Sequence, residues 1–443
     1  MIGFYKQRQL ADLKRVAFFL SLLIVAFTFL GCIGTEEDYD KNLETFEGCK
    51  SIPGHPFGSH HQKYAKGVIL PDVSQDEMDA AVISVYDNWK KSYVKSGSPC
   101  KKGQYWVATN MGDKSTVSEA HGYGMIIMAY MAGYDKDAKK IFDGMYDYFR
   151  AHPSKYSQDL MAWAQDYDCN DTQGVNSATD GDMDIAYGLL LADKQWGSAG
   201  DINYRKEARK VIRAIMDHET QNDQYLLLAD WAQSSVKHTT ATRLSDFMPD
   251  HFESFAADDV SGLDGDFLKV RDYTYGIISK VSNGKTGLVP DFVIDASSDP
   301  VAAPPGFLEG DHDGMYGYNS CRVPWRTGLN YVISGNSDAK DVVEPLIKWA
   351  EDETGGDPLQ FMAGYDLDGT AYAEYETRAF TAPLAVAAMV DSKYQDFLNA
   401  FWDHISVPEL EWPGYYSDTL QMLSVLVVSN NWWAPKDAVC EDN

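Results

Sequence analysis

The run Gly124-Met125-Ile126-Ile127-Met128-Ala129-Tyr130-Met131 and the run Leu423 to Val428, broken only by Ser424, are hydrophobic nearly all round. A helix that is apolar all round is buried on more than one side. A chain with such segments therefore needs a second layer of helices to cover them. Apolar periodicity predicts helices over 75–95, 118–133, 136–151, 182–196, 203–218, 245–257, 264–282, 320–335, 340–353, 378–391, 394–404 and 416–429. The segments between them are long and aromatic, as in Trp163 to Asn176 and Tyr225 to Ser235. No βαβ alternation, glycine-rich phosphate loop or interdomain linker interrupts the pattern, and no fixed repeat period marks a solenoid. Inner apolar helices within outer amphipathic ones predict an all-α closed double ring, with long loops at one rim building a site.

Of the 443 residues, 44% are hydrophobic, enough for a sizeable single core. The formal net charge of −28 opposes binding to nucleic acid or to anionic membrane surfaces. Lys6, Arg8, Lys14 and Arg15 precede an apolar run from Val16 to Leu30 that ends at Gly31-Cys32. That is the pattern of an export signal, too short for a membrane span. Lipidation of Cys32 after cleavage would give a cell-surface or extracellular bacterial lipoprotein, with membrane contact only through that anchor. Residues 1–32 are thus read as export signal, 33–65 as a polar tether, 66–436 as a single folded domain and 437–443 as a tail. Cys32, Cys49, Cys100, Cys169, Cys321 and Cys440 form no Cys-x-x-Cys pair, which opposes a zinc site. Export permits disulfides, and the spacing leaves their pairing open.

Three places concentrate chemistry. Asp180, Asp182 and Asp184 crowd a helix entrance, where orphan N–H groups tolerate negative charge. One such Asp would be an ordinary cap; three beside Ala178-Thr179 and Gly181 suggest a close approach of backbone and ligand. Glu119 opens a buried helix among small residues and beside Tyr123, an environment that raises a carboxyl pKa as a general acid requires. The loop Pro304 to Asn319 holds Glu309, Asp311, His312 and Asp313 before its tyrosines. Its spacing fits no twelve-residue Ca2+ loop, so no metal and no cofactor is expected. Trp or Tyr beside polar groups recurs at Tyr105-Trp106, Trp163, Asp230-Trp231, Trp325 and Trp432-Trp433. Flat aromatic faces suit sugar rings, although each alone packs helix ends equally well.

Together these segments resemble glycoside hydrolase family 8. Ser118-Glu119-Ala120-His121-Gly122-Tyr123-Gly124-Met125 is similar to its acid motif, and Ala178-Thr179-Asp180-Gly181-Asp182 through to Trp196 to its signature. Asn319-Ser320-Cys321-Arg322-Val323-Pro324-Trp325-Arg326, Asp230-Trp231, Ser245-Asp246 and Asn430-Asn431-Trp432-Trp433 follow in the family's order. The likeness runs from about residue 65 to 436. It implies an (α/α)6 barrel of six inner and six outer helices that hydrolyses a β-linked polysaccharide with inversion, as a monomer.

By that resemblance Glu119 is the general acid, and Asp180 positions the sugar at the cleavage point. Asn319 fills the slot where one branch of the family carries an Asp base, and an amide cannot accept a proton at neutral pH. In another branch an upstream loop supplies the base, which points to Glu309, with Asp311 as the alternative. Tyr123, Trp163, Asp182, Trp231, Tyr318, Asn319, Arg322 and Trp325 are the expected substrate-binding residues. The expected activity is an endo-acting β-1,4-glucanase on cellulose-like or mixed-linkage glucan. A chitosanase, a xylanase and a non-catalytic glycan-binding lipoprotein are the alternatives.

Overall fold

The computed structural model describes residues 53–436 apart from 110, 259, 261 and 409–413. The export signal, most of the tether and the tail therefore lie outside the described residues. Among the described residues twelve α-helices alternate between two concentric layers. The inner helices are α2 (Ser118–Tyr130), α4 (Thr179–Trp196), α6 (Pro249–Ala257), α8 (Val323–Ser334), α10 (Arg378–Ala388) and α12 (Tyr415–Val428). The outer ones are α1 (Gln75–Tyr93), α3 (Ala138–Ala151), α5 (Tyr204–Glu219), α7 (Asp264–Val281), α9 (Ser337–Thr354) and α11 (Gln395–Ile405). Each inner helix packs against the next, and α12 returns to pack against α2. The double ring is closed: an all-α (α/α)6 barrel, as its sequence predicts.

Composition explains the sorting. Nearly every residue of α2, α4, α10 and α12 is buried. The outer helices α3 and α5 bury one stripe each, led by Ile141, Phe142 and Met145 on α3 and Val211, Ile212 and Ile215 on α5. The α2–α4 contact is the tightest feature of the ring. A Cβ on Gly122 would lie 2.5 Å from the Asp184 Cβ, and one on Gly181 would collide with the Ser118 side chain. Only glycine lets the two backbones approach so closely, and that approach brings Glu119 beside Asp180.

Short antiparallel ladders decorate the rim: β1 (Val94–Ser96) with β2 (Tyr105–Val107), β3 (Thr116–Val117) with β4 (Ala164–Gln165), and β5 (Thr220–Gln221) with β6 (Tyr225–Leu226). A three-stranded sheet joins β7 (Thr242–Arg243), β8 (Phe292–Ile294) and β9 (Val301–Ala302). A Cys100–Cys169 disulfide ties the loop after β1 to the loop after β4, and Cys321 is a buried free thiol.

The tether expected to reach residue 65 is shorter, because residues from Gly54 onward strap the far end of the barrel. Gly54 donates to Gln195 O (2.9 Å), Phe57 to Ala132 O (2.7 Å) and Ala65 to Val332 O (2.8 Å), while Tyr64 OH donates to Val427 O (2.7 Å). All four carbonyls lie at C-terminal ends of inner helices, which otherwise hold orphan acceptors. His55 stacks on Trp433 at 4.1 Å. The polar composition of the segment reflects these backbone and ring contacts, and the opposite rim is left to the site.

Candidate active site

The N-terminal ends of α2, α4, α8 and α12 converge at the open rim. The β3–β4 pairing fixes the start of α2, where Ser118 N–H donates to Trp163 O at 2.8 Å. Glu119 then sits in the first turn, between Arg322 Nη1, which donates to Oε2 at 2.7 Å, and Tyr415 OH, which donates to Oε1 at 2.9 Å. Arg322 Nη1 also reaches Asp180 Oδ2 at 2.9 Å and Tyr123 OH at 3.2 Å. Arg243, delivered by β7, holds Asp180 Oδ1 at 3.0 Å and Asp246 Oδ1 at 2.9 Å.

These partners drive the neighbouring carboxyls apart in acidity. Burial raises the pKa of Glu119 above the ordinary carboxylate range, and the Asp180 charge adds to that, against the opposing pull of Arg322 and Tyr415. Burial acts on Asp180 too, but the guanidiniums of Arg243 and Arg322 outweigh it and hold its carboxyl below the ordinary value. The site thus presents one carboxyl shifted toward holding its proton beside one shifted toward losing it.

The loop from Pro304 to Asn319 brings the third carboxylate. Glu309 is exposed to the cleft, and its Oε2 accepts the Asn319 Nδ2 at 2.9 Å. Asn319 Oδ1 in turn accepts from Arg322 Nη2 at 3.0 Å. An unbroken chain, Glu309–Asn319–Arg322–Glu119, therefore spans the cleft. Asp311, on the same loop, is exposed. Buried Asp291 braces the turn bearing Asn319: its Oδ1 accepts from Gly317 N (3.0 Å), Asn319 N (3.2 Å), Ser320 N (2.7 Å) and Ser320 Oγ (2.6 Å). Burial brings its carboxyl up to about 6 despite those donors.

Of the residues expected to touch substrate, Trp163 and Trp231 are half-buried at the rim and Tyr318 is 43% exposed, so each presents ring face or edge to solvent. The other five are buried; Asn319 (5% exposed) and Arg322 (2%) sit within the hydrogen-bond chain, and three are shut off from the cleft. Trp325 has no exposed surface: Arg326 lies 3.8 Å over its ring, with Tyr123 and Trp432 beside it. It packs the inner ring of helices, and no sugar can stack on it here. Tyr123, equally buried, meets the site only through its hydroxyl contact to Arg322. Asp182 also has no exposed surface and accepts the Met161 N–H at 2.8 Å.

The three aspartates at the α4 entrance are not an over-supplied cap, since each faces a different element. Asp184 forms a bidentate pair with Arg326 (2.9 and 2.5 Å) and a 2.8 Å contact with His251. Asp182 neighbours buried Glu219 and Asp230. Burial, with the Glu219 and Asp230 charges, raises Asp182 well above the ordinary value; burial, with the Asp230 and Asp246 charges, brings Glu219 to about 8 against hydrogen bonds with Ser177 and Asp182.

Arg243, Tyr415 and Asp291 are site residues that the sequence reading missed. Each comes from a segment far along the chain, and no local motif announces it. Asp246 stood within a recognised motif but had no assigned role; burial brings it to about 7 beside Arg243. Among the described residues no cluster of metal-ligating side chains is found.

A family profile for glycosyl hydrolases family 8 matches residues 70–430. A beta-glucanase of Niallia circulans is 43% identical over 389 residues, covering 86% of this chain and 92% of that protein. An endoglucanase of Bacillus sp. (strain KSM-330) is 36% identical over 381 residues, covering 83% and 80%. The apo structure of a beta-1,3-1,4-glucanase from Paenibacillus sp. X4 superposes with a TM-score of 0.82 at 42% identity, covering 86% of this chain and all of that one.

Proposed function

The chain belongs to glycosyl hydrolases family 8, whose members invert the anomeric carbon, and on that premise we propose that it is an endo-acting β-glucanase cleaving β-1,4 bonds in cellulose-like or mixed-linkage glucan. The observation that carries the reading is the chain of hydrogen bonds from Glu119 through Arg322 and Asn319 to Glu309. Inversion needs two carboxyls about 6.5–9.5 Å apart, one to protonate the leaving oxygen and one to activate water on the opposite face. An amide and a guanidinium keep these two carboxyls out of contact while fixing both.

In the proposed reaction Glu119, its proton retained by burial, gives that proton to the departing glycosidic oxygen. Glu309 takes a proton from the water that attacks the opposite face. Asp180, held ionised by two arginines, binds the sugar at the cleavage point and favours the positive charge that develops there. Asn319 takes no proton: its amide orients Glu309 and leaves that carboxylate's other oxygen for the water. Trp163, Trp231 and Tyr318 stack the flanking sugar rings.

The test is release of reducing ends from lichenan, carboxymethyl cellulose, chitosan and xylan, run side by side, with NMR of the first product. Lichenan and carboxymethyl cellulose are expected to be cut, and the α-anomer to appear first. Preferential cutting of chitosan would move the substrate to a glucosamine polymer, and preferential cutting of xylan to a xylan. Turnover of none would leave a glycan-binding protein. The N-terminal charge pattern further supports export as a lipoprotein, to be checked by palmitate labelling that a Cys32→Ala change should abolish.

A further inference from the structure

We propose that Asp313 is a positioning residue that holds Glu309 in place to act on water. The proposal rests on the reading of Glu309 as the base. Glu309 sits on a turn flanked by Pro304-Pro305-Gly306 on one side and Gly310 on the other, and its side chain is exposed. Gly306 N–H closes the turn onto Gly310 O at 2.8 Å and buried Phe307 anchors its first half, but neither contact reaches the Glu309 N–H or side chain.

Asp313 holds the part of the turn that carries Glu309. Its side chain is only 3% exposed, and it gathers three consecutive backbone donors. Leu308 N–H reaches Oδ2 at 2.7 Å, Glu309 N–H reaches both oxygens at 3.1 and 3.2 Å, and Gly310 N–H reaches Oδ1 at 2.9 Å. The backbone of Asp313 is itself anchored, since its carbonyl accepts the Phe292 N–H of β8 at 2.9 Å. The carboxylate thus joins the Glu309 turn to the sheet that also delivers Arg243 to Asp180. Glu309 is held at both ends, its N–H by Asp313 and its Oε2 by Asn319. Asp313 faces the back of the turn and acts through Glu309.

A buried carboxylate that accepts several N–H bonds is a strong and directional brace. Without it three backbone donors must find solvent, and the turn can swing. A displacement of about 1 Å at a reacting group costs on the order of 10²-fold in rate.

The experiment uses the whole chain with a β-glucan oligosaccharide, with and without sodium azide, in Asp313→Ala, Asp313→Asn and Glu309→Ala. Azide attacks the anomeric carbon from the α face while the bond to the leaving oxygen breaks and Glu119 protonates that oxygen. Azide has no proton to give up, so it needs no base, and the product is an α-glycosyl azide. Both Asp313 variants are expected to lose about 10²-fold in kcat with KM unchanged, and azide should restore turnover with the α-glycosyl azide as product, as in Glu309→Ala. Asn keeps one acceptor but points an NH2 at the turn's donors, so Asp313→Asn carries the test should the Ala variant not fold.

Wild-type kcat in Asp313→Asn would overturn the proposal. So would a loss that azide fails to rescue while Glu309→Ala is rescued, because that loss would be structural. If azide rescues neither, the reading of Glu309 as the base fails, and the proposal with it.

Discussion

Arg322 donates to Glu119 at 2.7 Å, yet the Glu119 carboxyl stays above the ordinary carboxylate range. A guanidinium at that distance would normally strip the proton. Burial and the Asp180 charge outweigh it, so the carboxyl is shifted upward even as Arg322 orients it. Glu119→Gln keeps the size and the polar contacts but has no proton to donate to a leaving group. It should lower kcat by about 10²–10⁴-fold while oligosaccharide affinity, read by calorimetry, stays near wild type. Unchanged turnover would remove Glu119 as the acid.

The alkaline side of the pH profile should report that same carboxyl. The acid works only while protonated, so kcat/KM falls as pH rises through its raised pKa. The Asp180 charge contributes to the elevation. Asp180→Asn removes a like charge, lowers the Glu119 pKa, and should move the alkaline limb to lower pH along with a loss of rate. A limb that stays or moves upward would contradict the electrostatic account.

Trp163 and Trp325 are both indoles near the site, but only Trp163 presents a surface. Trp163→Ala should raise KM on oligosaccharides and leave the melting temperature close to wild type. Trp325→Ala should destabilise the fold by about 3–5 kcal/mol through the cavity it leaves. Denaturant unfolding beside KM separates the two, and the opposite pattern would mean the exposures are misassigned.

Glu219 lies buried beside Asp182, at about 8 in the fold and about 4.3 when unfolded. Because the folded value is raised, its stabilising proton is fully bound below the unfolded value and is lost as pH rises toward 8. Melting temperature should therefore fall from pH 5 to pH 9, and Glu219→Gln, which cannot ionise, should narrow that fall. A fall of equal size in the variant would exclude Glu219 as its source.

The helices were legible because their signals are local. The nearly all-apolar runs at 124–131 and 423–428 became inner helices α2 and α12, and the amphipathic segments became the outer ring. Glu119, Asp180 and Arg322 were legible for the same reason, each lying in a short motif at a helix start. Trp325 was misread because sequence does not say which way a side chain turns on a helix buried on nearly every face. Arg243 and Asp291 were missed because strands β7 and β8 meet the site only in three dimensions. Asn319 read as a departure at the base position; the fold uses its amide to tie Glu309 to Arg322.

The assignment of the base is tested most directly by the kinetics of Glu309→Gln and Asp311→Asn side by side on one β-glucan oligosaccharide. Glu309→Gln should lower kcat by about 10²–10⁴-fold with KM nearly constant, and Asp311→Asn should lower it far less. A larger loss in Asp311→Asn would place the base at Asp311 and break the proposed link from Glu309 through Asn319 and Arg322 to the acid.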